Sequence, residues 1–170
     1  RWTGDRGASW QSSRIPLAAV RTLAFDADSP DAKRIYAGGE GGVAFSTDGG
    51  MTWQIVGEPL FMLSVRSLVA RQENGAAVLY AATTNAGMWR SADGGASWTK
   101  FNAGLADGYL CAAAGNADLL ATATCAGQVY LLGADNVWER AASPLPGAAN
   151  DIVVQGAADA GRITVGTSVG

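Results

Sequence analysis

Arg21 and Arg66 stand 45 residues apart in matching stretches, "AVRTLAF" and "SVRSLVA". Two guanidinium groups presented at equivalent places can grip a carboxylate or phosphate, because each offers a planar fork of N–H donors. Pairing with loop carbonyls or nearby acids is the competing use of the same groups. Further along the chain the aligned positions change type: "GYLCA" brings Tyr109 close, and "NDIVV" brings Asn150 and Asp151. Arg21, Arg66, Tyr109 and Asn150 are therefore the candidate ligand-binding residues. A second candidate is apolar. The stretch "EPLFMLS", Glu58 to Ser64, puts Leu60, Phe61, Met62 and Leu63 in a connection where loops are ordinarily exposed. Such a run makes either a protein-contact patch or a plug packed into the fold.

Composition narrows the remaining chemistry. The chain has no histidine and only two cysteines, so the usual zinc ligand sets, a Ser-His-Asp triad and a Cys-His pair cannot be assembled from it. No catalytic residue, metal site or cofactor is expected. The glycine-rich "GGEGG", Gly38 to Gly42, contains no Lys and opens no helix, which makes it a turn and not a phosphate cradle. Twelve basic residues against fifteen acidic ones give a net charge of -3, too little basic field to hold nucleic acid or an anionic membrane. No apolar run approaches the roughly 20 residues of a membrane helix, so no membrane insertion is expected. For Cys111 and Cys125 a disulfide is one reading, and two buried thiols are the expectation, since strand register alone need not bring their Cβ atoms together.

The elements that position these residues follow from self-similarity. Trp10, Trp53, Trp98 and Trp138 are separated by 43, 45 and 40 residues, a period of about four strands. Each period holds four short β-rich runs between turn residues: "VRTLAF", "RIYAGG", "GVAFS" and "TWQIV" are followed by "VRSLVA", "VLYAAT", "GMWRS" and "SWTKF", then by "YLCAAA", "LLATAT", "QVYLL" and "VWERA". A fourth period supplies "DIVVQG" and "RITVGT" alone. Denoting the runs A to D, Pro16, Pro59, Pro144 and Pro146 all fall between a D run and the following A run, which marks those segments as loops. The apolar stretch Leu60 to Ala70 is read as a loop leading into an A strand, and no segment is read as helix. An all-β β-propeller of four-stranded antiparallel blades is expected, because radial stacking buries blade faces that a lone meander would expose. The expected divisions are strands C and D of one blade at 1–13, blades at about 14–57, 58–102 and 103–142, and a final A–B pair at 143–170.

Between strands C and D recur "TGDRGASW", "STDGGMTW" and "SADGGASW". The Asp can accept turn N–H groups, the glycines can take positive φ, and the Trp can cover the hairpin. This Ser/Thr-x-Asp-x-Gly-x-Ser/Thr-Trp pattern resembles the Asp-box, or bacterial neuraminidase repeat, of a β-propeller superfamily that includes sialidases, xyloglucan-cleaving enzymes, sortilin-type receptors and photosystem II assembly factors. The resemblance implies a peripheral, structural role for Asp5, Trp10, Asp48, Trp53, Asp93 and Trp98. In the fourth hairpin Trp138 is retained, but Gly133 stands at the position of Asp93 and Asp135 lies two places on.

Gly170 aligns with Gly42, Gly87 and Gly127, and Trp2 with Phe45. Four periods are thus expected, either closed as a four-bladed ring or forming part of a larger propeller. The larger propeller is the expectation, its missing blades coming from further chain or another copy, since four blades is the tight end of the usual range.

Ligands of propellers belong at the mouth formed by the D–A and B–C connections. A non-enzymatic scaffold binding a protein or a glycan there is the functional expectation. The resemblance supplies the alternative, a segment of a sialidase- or xyloglucanase-like glycoside hydrolase, which needs paired carboxylates or a Tyr nucleophile. Asp26, Asp28, Asp31 and Asp48 fall on the opposite face from the mouth, leaving Glu40, Glu58 and Asp107 as isolated acids near it. An extracytoplasmic location is implied by the same resemblance.

Overall fold

Short β-rich runs punctuated by glycine become fourteen strands among the described residues of the computed structural model, which are 1–26, 33–156 and 161–168. Asp28, Asp31 and Gly170 lie outside them. The first sheet contains β1 (Ala19–Phe25), β2 (Ile35–Glu40), β3 (Gly42–Ser46) and β4 (Gln54–Val56). The second contains β5 (Val65–Glu73), β6 (Ala76–Thr83), β7 (Gly87–Ser91) and β8 (Thr99–Lys100). The third contains β9 (Leu110–Gly115), β10 (Leu120–Thr124), β11 (Val129–Leu132) and β12 (Trp138–Arg140), and a final pair contains β13 (Ala149–Gln155) and β14 (Arg162–Thr167). Every sheet is an antiparallel meander in chain order. The three complete sheets are blades of a β-propeller. Ahead of them, Trp2 and Gln11 close a minimal hairpin through two backbone bonds of 2.9 Å.

Strand A of each blade is innermost, and these strands stack in order, β1 beside β5, β5 beside β9 and β9 beside β13. The stack is stitched at a fixed spacing. The Leu68 amide donates to Thr22 Oγ1 at 3.3 Å, Ser67 Oγ donates to the Ala113 carbonyl at 2.8 Å, and Arg71 Nη2 donates to the Ala117 carbonyl at 3.1 Å. Alternation along a strand aims successive side chains at opposite neighbours. Leu68 accordingly packs in the cluster shared with the first blade, while Val69 joins the cluster shared with the third. Alanines at 81, 82, 112, 121 and 123 are at most 3% exposed. Their small side chains let the sheets approach closely around Tyr36, Tyr80, Leu79 and Met88.

The outermost D strands are two or three residues long, shorter than the runs in the sequence suggest, which limits the unpaired backbone edge offered to solvent. One departure from the all-strand reading is a single 3-10 turn at Leu60–Met62. It forms because the connection must reverse at once between Gly57 and β5, and the Leu63 amide bonds the Leu60 carbonyl at 2.9 Å.

Candidate functional site

The D–A and B–C connections are held together by backbone bonds, which build one rim of the array. The Ala18 amide donates to Glu40 at 3.0 Å, Thr84 to Ser64 at 3.1 Å, Cys125 to Tyr109 at 2.9 Å and Ser168 to Ala148 at 2.9 Å. Just below this rim every innermost strand carries a bulge. The pairing skips one residue between Val20 and Thr22, between Val65 and Ser67, between Leu110 and Ala112, and between Ala149 and Asp151. The extra residues are Arg21, Arg66, Cys111 and Asn150. A bulge bends its strand and re-aims the unpaired side chain, which is how such sites commonly direct groups toward a rim.

The four bulge residues are used differently. Arg21 forms a close ion pair with Glu40, the last residue of β2 before the B–C turn in its own blade. Arg66 is half-buried, and its guanidinium has no hydrogen bond or ion pair with any described residue. Cys111 is disulfide-bonded to Cys125, with Cα atoms 5.0 Å apart, which corrects the expectation of two free thiols. The physical reason is the bulge: Thr124 pairs with Leu110, so the unpaired Cys111 and the next residue, Cys125, meet at the start of the turn. Asn150 is exposed. Tyr109 precedes the bulge by two residues and is 51% exposed, with its amide bonded to Asp107 Oδ1 at 2.9 Å. The equivalent of the arginines in that blade is therefore Cys111 and not Tyr109.

The apolar connection divides its residues between plug and surface. Leu60 is fully buried and Leu63 packs against the same cluster, whereas Phe61 is 40% and Met62 93% exposed. Leu60 is pinned beneath Gly42, where φ is +101° and an added Cβ would lie 2.9 Å from the Leu60 carbonyl oxygen. Glycine is required there on both counts. Phe61 also lines a cavity of about 410 Å³ with Pro16, Ala18, Glu40, Gly41 and Ile55. Pro16 and Ile55 are site residues the sequence reading did not single out; only the placement of Pro16 in a D–A connection hinted at it.

At the opposite end the three Asp-containing C–D turns share one geometry. In the second, Ser46 Oγ donates to Asp48 Oδ1 at 2.8 Å, the Thr52 amide donates to the same oxygen at 2.9 Å, Thr52 Oγ1 donates to Oδ2 at 2.6 Å, and the Gly50 amide donates to Ser46 Oγ at 2.8 Å. Asp5 with Thr3 and Ser9, and Asp93 with Ser91 and Ser97, repeat the set. Gly7, Gly50 and Gly95 all have φ of +92° or +93°. The side-chain hydroxyl on the far side of each turn is the largest cause that holds all three carboxyls below the usual carboxylate range, and its amide and the near-side hydroxyl add to it. These carboxylates are saturated by their own turns. In the fourth hairpin Asp135 Oδ1 accepts the Val137 amide at 3.1 Å instead.

The Trp residues cover the exits of the preceding blade. Trp98 Nε1 donates to Gly95 at 3.0 Å and its ring packs on Gly57. Trp138 Nε1 donates to Phe101 at 2.8 Å, and Trp53 Nε1 reaches Gly50 and Ser13.

The mouth acids are dispersed: Glu40 binds Arg21, Asp107 holds its own loop and Glu58 is exposed. Asp26 is buried near the other end beside Arg34 and Gln72. Among the described residues, no three His, Cys, Asp or Glu side chains converge as a metal site. A partly buried network escaped the sequence reading. Tyr80 donates to Glu73 at 2.5 Å, and Arg90 donates to Glu73 at 2.8 Å and to Tyr80 at 3.2 Å. Burial, then the bond to Glu73, pushes the Tyr80 hydroxyl up to about 12.

No family profile and no curated protein matches the chain. Among solved structures it is similar to an ancestral GH74 enzyme, with a TM-score of 0.67 and 21% identity over 89% of this chain and 24% of that one. It is also similar to YCF48 from Cyanidioschyzon merolae, with a TM-score of 0.58 and 18% identity over 87% of this chain and 50% of that one. YCF48 bound to D1 peptide gives 0.60 and 16% over 81% and 46%. The chain spans about a quarter of the GH74 enzyme and about half of YCF48. These likenesses agree with the β-propeller fold.

Proposed function

We propose that this chain belongs to a non-enzymatic Asp-box propeller that captures a protein segment at its mouth. The observation that carries the reading is the Glu58–Ser64 connection, where Phe61 and Met62 stand exposed beside a 410 Å³ cavity and Arg66 follows with its guanidinium bonded to no described residue. An apolar anchor seated in the cavity and a carboxylate on Arg66 would match these groups. The solved YCF48 complex with D1 peptide supports the general mode. A glycan is the competing ligand, with Tyr109 and Asn150 as its contacts. The glycoside-hydrolase reading receives less support, because Glu40 and Asp107 are each engaged locally, Glu58 is exposed, and none of the three pairs with another. The Cys111–Cys125 bond suits an oxidising, extracytoplasmic compartment.

Selection of a displayed random-peptide library on the purified chain tests this. Enriched peptides should combine an apolar anchor with an acid, and Met62→Ser, Phe61→Ala or Arg66→Ala should each weaken them about tenfold, or about 1.4 kcal/mol. Unchanged binding removes the site. Turnover of xyloglucan or sialosides that disappears on changing Glu40, Glu58 or Asp107 would defeat the non-enzymatic reading.

A further inference from the structure

The third blade departs from the others in its C–D turn, and a polar cavity lies beside that departure. With Gly133 at the position of Asp93, the turn closes on itself: the Gly133 amide donates to the Val137 carbonyl at 2.8 Å and the Asn136 amide donates to the Gly133 carbonyl at 3.1 Å. The corresponding turn of the second blade reaches the blade before it, where a Cβ added at Gly94 would lie 3.5 Å from the Tyr36 hydroxyl. Tyr80, the equivalent of Tyr36, has its hydroxyl held by Glu73 and Arg90. Next to that network is a cavity of about 490 Å³ between the second and third blades, both of them complete. Three turns wall it: the A–B turn of the second blade with Asn74, the A–B turn of the third with Asp118, and the C–D turn of the third with Asn136. Its volume falls within the range of about 300–1,000 Å³ typical of small-molecule sites.

The groups around the cavity select a ligand class. Asn74, Asp118 and Asn136 are exposed, and their side chains bond no described residue, so two carboxamides and a carboxylate are free to meet a ligand. Arg71 is the more enclosed wall: its Nη2 donates to the Ala117 carbonyl at 3.1 Å and its Nε lies 3.4 Å from Glu73 Oε1. The guanidiniums of Arg71 and Arg90 balance the carboxylates of Glu73 and Asp118, leaving no net charge to hold a phosphate or a metal cation. Among the described residues no aromatic ring lines the cavity, so a flat heterocycle has nothing to stack on. Leu119 and Leu132 contribute an aliphatic surface. A hydroxyl both donates and accepts, which is what a carboxamide offers in return, and a carboxylate can accept from two neighbouring hydroxyls at once. We infer that this cavity binds a neutral polyhydroxylated ring, a single sugar unit or a cyclitol. Its hydroxyls pair with Asn74, Asp118 and Asn136, and its C–H face lies on Leu119 and Leu132. The site is at the opposite end of the strands from the mouth and does not depend on the ligand proposed there.

Nuclear magnetic resonance titration of the isotope-labelled chain with D-glucose, D-mannose and myo-inositol, each alone, tests the assignment. The amide signals of Asn74, Asp118 and Asn136 should move together and saturate with one or more of these probes. Asp118→Ala should weaken that binding about tenfold. Asn74 and Asn136 have left-handed backbone, with φ of +51° and +62°, a region glycine also adopts, so Asn74→Gly and Asn136→Gly keep the turns while removing the amides. Each should weaken binding several-fold with the β circular dichroism spectrum unchanged. Ala134→Leu, which puts an aliphatic side chain into the cavity and removes no polar group, should abolish binding. No saturable shift with any of the probes overturns the inference. So does binding that Asp118→Ala and Ala134→Leu both leave intact, since another surface would then hold the sugar. Glycine or inorganic phosphate saturating the same amides where the probes do not would also overturn it, giving the cavity to a charged ligand.

Discussion

The two ends of the blades are built on opposite plans. At the C–D end the same turn is made three times, with Asp5, Asp48 and Asp93 holding the same hydroxyls and amides. At the mouth one backbone device, the bulge, is made four times and filled with Arg21, Arg66, Cys111 and Asn150. Uniform side chains on a uniform backbone indicate a requirement of folding. Varied side chains on a uniform backbone indicate a platform whose contents are free to serve a ligand. Even within the mouth the two arginines differ: Arg21 is neutralised by Glu40 and Arg66 is not.

The comparison breaks most readily at the Trp residues, which share a motif and not an environment. Trp98→Ala and Trp138→Ala, at 5% and 2% exposure, should each cost about 3–5 kcal/mol in urea unfolding. Trp10→Ala, at 60% exposure, should cost no more than about 0.5 kcal/mol. Equal costs would mean that the motif and not the preceding blade sets the contribution. Next in size is the mouth's covalent clasp. Replacing Cys111 and Cys125 together with Ala should cost about 3 kcal/mol for a closed loop of this length, seen as a lower denaturation midpoint that no longer responds to reductant.

The pH responses of the two ends should also separate. The carboxyls of Asp5, Asp48 and Asp93 have lowered values in the fold, so the stability they lend is present above the unfolded value near about 4 and fades as pH falls through the lower folded values. Asp48→Asn should flatten that acid limb in a urea midpoint series. Tyr80 runs the other way: its hydroxyl is raised from 10.0 to about 12, so its contribution is intact below pH 10 and lost between 10 and about 12. Tyr80→Phe should reduce that alkaline decline and leave the part due to Tyr36, whose hydroxyl is also raised by burial, and an ultraviolet titration of the variant should lose the phenol that ionises at about 12.

Much of the fold was legible because its signals are local. Alternating apolar runs, prolines in the D–A connections and Trp at blade spacing sufficed to place fourteen strands within a few residues, and the Asp of each repeated turn accepts turn N–H groups as its place in the motif predicts. The site was less legible. The equivalence of Arg21 and Arg66 was legible from repetition alone, but Cys111 was displaced from its true equivalence because a bulge leaves no mark on a period-two pattern. The disulfide was missed for the same reason. Leu60 to Leu63 could not be divided into plug and surface from composition, since all four are apolar.

By itself the sequence determined the period, the meander within each blade and the chemistry of each hairpin, all of which depend on residues at most a few places apart. Only the tertiary structure decided which arginine is committed, which side chain of the apolar connection faces solvent, and which turns meet around one cavity. Those outcomes depend on contacts about 45 residues apart, such as Ser67 with Ala113, which no local pattern encodes.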